Sequence, residues 1–70
     1  MERYIICSDE GGKTWFLGYD RETNEPGWFV ENEDLKNCKL IVYSDYNAVK
    51  RLLVAIHDKT PDAYIKIINF

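Results

Sequence analysis

The chain has one histidine, two cysteines and two prolines among 70 residues, and no long apolar run. Each scarcity excludes something. A tetrahedral zinc site takes four ligands drawn mainly from Cys and His, and His57 with the widely spaced Cys7 and Cys38 cannot supply them. Two cysteines do not make a disulfide framework either, and both are expected to be buried thiols of a cytoplasmic protein. A bilayer span needs about 20 consecutive apolar residues, so no membrane association is expected. The start, Met1-Glu2-Arg3-Tyr4-Ile5-Ile6-Cys7-Ser8-Asp9, has too short an apolar stretch for a signal peptide, with acids following at once.

Nucleophilic catalysis needs a nucleophile, a base and an orienting group. Ser8 falls in a turn, Ser44 is better used as a helix cap, and neither cysteine has the electropositive surroundings of an activated thiolate. His57 lies near a helix C-terminus, where the dipole favours a surface imidazole rather than a base. Gly11-Gly12 lacks the strand–loop–helix setting of a phosphate loop. Asp20, Glu22, Asn24 and Glu31 have the spacing of a calcium loop, but Glu25 stands where that loop needs glycine, so a solvated acidic loop is the better account. The residues thus predict no enzyme, no metal and no cofactor.

Basic charge is scarce too: nine Lys and Arg against twelve acids, a net charge of −3. Residues 1–34 hold nine acids against three bases, and the remainder holds three acids against six bases. A phosphate-binding surface needs several cations on one face, so direct nucleic-acid binding is not expected.

What the chain does have is apolar and aromatic mass, 46% and 14%, enough for a core around few elements and too much for a disordered segment. Residues 1–70 read as one domain. Arg3–Cys7 and Lys13–Tyr19 alternate as strands around a turn at Ser8–Gly12, an antiparallel hairpin. Trp28–Val30 is a short third strand, Asp34-Leu35-Lys36 has room for a helical turn, and Lys39–Tyr43 is a fourth strand expected to be buried on both sides. Ser44 is the expected N-cap of a helix whose apolar stripe is Tyr46, Val49, Leu52, Leu53 and Ile56, stopped by Pro61. Ala63–Phe70 is the last strand. The expected fold is α+β: an antiparallel sheet of four to five strands in the order β-β-β-β-α-β, with one amphipathic helix on one face. The helix could equally be a right-handed crossover that makes its flanking strands parallel.

Binding is where the pattern points. If the acids of the first half gather at one sheet edge, they form a negative surface suited to a basic groove on another protein, anchored by an aromatic such as Trp28. The residues named for it are Asp20, Glu22, Glu25, Trp28, Glu31, Glu33 and Asp34. The plain alternative is an acidic solvated rim with its aromatics in the core. A secondary patch is Lys50, Arg51 and Val54 on the polar helix face, which matters if the helix meets another copy or a partner.

The opening strand Arg3-Tyr4-Ile5-Ile6, the hairpin from Gly11-Gly12-Lys13 into Trp15-Phe16-Leu17-Gly18-Tyr19-Asp20, and the helix Ser44-Asp45-Tyr46-Asn47-Ala48-Val49 before a closing strand together resemble small α+β proteins of phages and prophages. Some of these are anti-CRISPR-type inhibitors. The resemblance implies a protein that blocks a host nucleic-acid-binding complex by contact, and it assigns no contact residue. The alternatives are an accessory domain that self-associates as a homodimer and a weak nucleic-acid-binding accessory.

Overall fold

A computed structural model describes residues 1–30 and 37–69. The chain runs β1 (Glu2–Glu10), β2 (Lys13–Asp20), β3 (Pro26–Val30), β4 (Cys38–Leu40), α1 (Tyr46–Ile56) and β5 (Ala63–Asn69). This is the α+β order that the sequence predicts. The sheet order is β3-β2-β1-β5, with β4 paired to β2, and every strand pairing is antiparallel. The parallel crossover is not used: the strand after the helix goes to β1.

The first hairpin is tighter than expected. Glu10 pairs with Lys13, leaving only Gly11 and Gly12 in the turn, with φ of 62° and 74°. Two positive φ values in succession are what a type I′ turn requires, and glycine accepts them without a Cβ clash. Ser8, Asp9 and Glu10 therefore belong to β1, not to the turn. Asp9 Oδ1 accepts from Thr14 Oγ1 at 3.0 Å and from the Tyr64 hydroxyl at 3.2 Å, linking β2, β1 and β5 at this end.

β1 and β4 share one edge of β2. β1 pairs with its first half, from Cys7↔Phe16 to Glu10↔Lys13, and β4 with its second half, from Gly18↔Leu40 to Asp20↔Cys38. β3 takes the other edge, so Gly18 has Gly27 on one side and Leu40 on the other. β4 is shorter than the expected Lys39–Tyr43. Ile41 still donates to the Leu17 carbonyl at 3.2 Å, but Val42 then turns outward, 40% exposed, and Tyr43 exchanges backbone bonds with Tyr4 of β1. The apolar run Leu40-Ile41-Val42 is thus not an interior strand, because its chain leaves β2 to reach β1. The helical turn expected at 34–36 and the end of the last strand at Phe70 lie outside the described residues.

The helix begins one residue later than its expected cap implies. Asp45, not Ser44, is the N-cap, with extended backbone (φ −107°, ψ 111°) and its carboxylate accepting from the Asn47 N–H at 3.0 Å. Both residue types cap well, and here the carboxylate sits at the register that reaches the second helical N–H, an interaction worth about 1 kcal/mol. After Ile56 the chain closes through His57, Lys59 and Thr60, whose N–H groups bond to carbonyls of Leu53 and Ile56.

Side chains alternate between two faces of the sheet, and both are used. On the helix side Ile6, Val49 and Ala63 are buried, with Tyr4, Leu17, Trp28, Leu53 and Ile65 among those packed around them. On the other side Ile5, Cys7, Phe16 and Cys38 are buried, flanked by Phe29, Leu40 and Ile68. Both cysteines are buried thiols, as the sequence predicts.

Candidate functional site

The acidic loop between β2 and β3 is built on Asp20. Its Oδ1 accepts from the backbone N–H of Glu22 at 2.8 Å and of Thr23 at 3.2 Å. An Asp that bonds the backbone two residues ahead makes an Asx turn. The Asn24 N–H returns to the Asp20 carbonyl at 2.8 Å, and Asn24 supplies the positive φ of 62° that lets the chain turn back. Asn is one of the few side chains that tolerate that conformation. The Asp20 N–H then bonds to the Glu25 carbonyl at 2.9 Å, closing the loop. Arg21 ties it to the chain entering β4, through its N–H to Asn37 O at 2.9 Å and its Nε to Cys38 O at 3.2 Å.

The consequence is a fixed backbone with the carboxylates of Glu22 and Glu25 exposed on it, while Asp20 turns inward as a structural acceptor. Trp28 lies two residues into β3, half-buried on the helix side and packed into the cluster around Ile6. Asp9 and Glu10 are at the opposite end of β2, so the acids of the first half do not all meet. The eight residues of β2 separate the two groups by roughly 25 Å. Glu31, Glu33 and Asp34 lie outside the described residues.

The secondary patch is brought together. Lys50, Arg51 and Val54 line, with Asn47, a shallow depression on the outer helix face, where Val54 is 67% exposed. His57 is on the surface at the helix end, its Nε2 donating to the Ala63 carbonyl at 3.0 Å. That bond clasps the helix to the start of β5.

Two further features come from the tertiary fold. The first is a cavity of about 110 Å³ on the side away from the helix, lined by Ile5, Cys7, Phe16, Cys38 and Leu40 with Thr14 and Lys66. Its signal was present: Ile5 and Cys7 alternate with Tyr4 and Ile6, and a strand apolar on both faces needs cover on both. The second is a tyrosine cluster near the helix N-terminus. Tyr4 meets Tyr46 edge to face, with ring centroids 5.4 Å apart and planes at 67°. Tyr43 is bonded to the Tyr4 backbone, and Tyr19 is close enough to act on it electrostatically. Tyr19 and Tyr46 are exposed. No sequence periodicity joins these four, since strand pairing and the bend at Val42 assemble them.

Burial, and secondarily the charge that Tyr19 would carry, raises the Tyr43 phenol above its ordinary 10.0. In the unfolded chain Tyr43 ionises near 10.0, whereas in the fold it resists. Stability is therefore fully present below that pH and is lost as pH rises through the folded value. Tyr43→Phe is expected to hold its unfolding midpoint further into alkali than wild type does in urea titrations at a series of pH values. Equal alkaline losses in both proteins would show that Tyr43 does not titrate against the fold.

Among the described residues no group of His, Cys, Asp and Glu is placed to hold a metal ion, and no helix is long and apolar enough to cross a membrane. No family model matches the chain, and neither does any curated protein or solved structure.

Proposed function

We propose that this chain is a non-catalytic protein-binding module that presents a preformed acidic loop to a basic surface, in the manner of a phage-type inhibitor of a host nucleic-acid-binding complex. The observation that carries this reading is the loop Asp20–Glu25. Its backbone is held by the Asp20 Asx turn, the left-handed Asn24 and the Arg21 bonds, so Glu22 and Glu25 are displayed on a loop whose backbone is already ordered before binding, which leaves only their side chains to be fixed. Exposed carboxylates of this kind steer a cationic partner and set its register. Glu31, Glu33 and Asp34, which the sequence also names for this surface, lie outside the described residues.

The test is capture of partners from bacterial lysate by wild type and by a Glu22→Gln, Glu25→Gln variant. Both side chains are exposed, so the fold is expected to tolerate the change. A nucleic-acid-binding protein held by wild type, released by added salt and bound at least about tenfold more weakly by the variant is the expected result. Equal retention by both proteins would leave the loop as a solubilising rim.

A further inference from the structure

Among the described residues β1 is the one strand that pairs with β5, so the other side of β5 is an edge of the sheet. The direction of its backbone groups follows from Tyr4. The N–H and C=O of Tyr4 are both engaged by Tyr43, at 2.8 Å each, on the side of β1 away from β5. An antiparallel pair alternates between residues whose backbone groups face each other and residues whose groups face outward. Tyr4 and its partner Ile67 are therefore an outward-facing pair, and so by alternation are Ile6↔Ile65, Ser8↔Ala63 and Glu2↔Asn69. Ala63 obeys this parity: its N–H donates to Thr60 O at 3.1 Å and its carbonyl accepts from His57 Nε2 at 3.0 Å. The turn after the helix thus closes the edge at Ala63 and leaves it open at Ile65, Ile67 and Asn69.

We propose that a second copy of this chain covers that edge, β5 pairing antiparallel with β5 across a two-fold axis through Ile67. Exposed edges are commonly guarded by proline, bulges or several charges. β5 has neither proline nor a second charge beside Lys66, and its Ile67 side chain is 55% exposed. The symmetry selects the register. Bonded pairs must join outward-facing residues, which confines the axis to few positions. An axis at Ile65 would set Ile67 against Ala63, whose groups are already engaged. An axis at Lys66 would place that lysine opposite its own copy in a close pair, a like-charge contact that destabilises a ladder. An axis at Ile67 pairs Ile67 with itself and Ile65 with Asn69, so every open group is bonded. It also lays the Lys66 stem against Ile68 of the partner copy while its ammonium reaches water. Both helices then lie on the same face of one continuous sheet, with the two Ile67 side chains meeting between them.

This surface is independent of the acidic loop, which joins β2 to the opposite edge strand, β3. Sedimentation equilibrium of wild type is expected to give a dimer that persists in high salt. Ile67→Pro removes only an N–H that faces away from β1, a place where an edge strand accepts proline. It is expected to weaken the dimer about tenfold or more, because it deletes both bonds of the central pair, with little change in circular dichroism. Ile67→Cys is expected to crosslink to itself on oxidation, while Ile65→Cys and Lys66→Cys are not, and the buried native thiols do not compete. A wild type that stays monomeric at sub-millimolar concentration overturns the proposal. So does preferential crosslinking through Lys66→Cys, or an Ile67→Pro variant that dimerises like wild type. The Glu22→Gln, Glu25→Gln variant is expected to dimerise normally, so failure here and failure of the acidic-loop reading are separable.

Discussion

Ile6→Ala is expected to remove about 2–5 kcal/mol of folding stability, the range for truncating a fully buried Ile side chain to a methyl group. Ile6 has 0% relative exposure, as does Val49 of the helix that packs across it. It stands mid-strand in β1, opposite Ile65 of β5, in the middle of the cluster where the helix packs on the sheet. The surrounding strands are held by ladder bonds and cannot collapse into the space, so the cavity term adds to the lost transfer energy. A domain of 70 residues has roughly 4–10 kcal/mol in total, so a loss of this size is about half of it. In urea the midpoint is expected to fall steeply with the slope unchanged, while Ile6→Val loses about 0.5–1.5 kcal/mol. A loss below about 1 kcal/mol for the alanine variant would mean that the helix does not pack on β1 as described.

The second large effect is expected at Gly18. Its φ is not positive, so nothing in the backbone conformation demands glycine; the constraint is space. A Cβ built there would lie 2.7 Å from the Lys39 carbonyl oxygen and 3.3 Å from the Phe16 ring. The first neighbour is backbone and cannot rotate aside. Gly18→Val therefore has to push β4 off the edge of β2, at about 1–3 kcal/mol for the overpacking alone. Gly27, the partner of Gly18 on β3, provides the control. A Cβ there comes no closer than 3.5 Å to the Phe29 ring, which is ordinary contact. Gly27→Ala is expected to be close to neutral. The local readout is Cys38: 3% exposed in the native fold, it should react with a thiol reagent in Gly18→Val well before global unfolding. If its protection survives, β4 is not seated against Gly18.

These contrasts show which parts of the fold were legible in the residues. The first hairpin was, since Gly11-Gly12 stands between two alternating strings and little but a turn with two positive φ values needs such a pair. The helix was as well, because Val49, Leu52, Leu53 and Ile56 leave one apolar stripe. Its cap was missed by one position, as Ser44 and Asp45 are adjacent residues that both accept from free N–H groups. β4 departs from its local pattern for a deeper reason. Leu40-Ile41-Val42 has the composition of an interior strand, and its end is set by competition between β1 and β4 for the same edge of β2. That is a matter of register between distant segments, which local pattern does not carry. Of the named surface, the loop carboxylates of Glu22 and Glu25 and the Lys50, Arg51 and Val54 patch fall on exposed positions. The tyrosine cluster was invisible, since its members come from β1, β2, the bend after β4 and the helix.

The pairing of β1 with β5 bears on how the chain reaches this fold. β1 acquires its first partner from the residues immediately following it, across a two-residue turn, an event of microseconds. Its second partner is near the far end of the chain, with Glu2 opposite Asn69. Closing a loop of that length costs entropy before any contact repays it, and nonlocal pairing of this kind slows folding. The helix-side core cannot form before that closure, because Ala63 and Ile65 come from β5 while Ile6 comes from β1. An early hairpin that waits for a late strand, with one side of β1 bare in the interval, is the expected order of events.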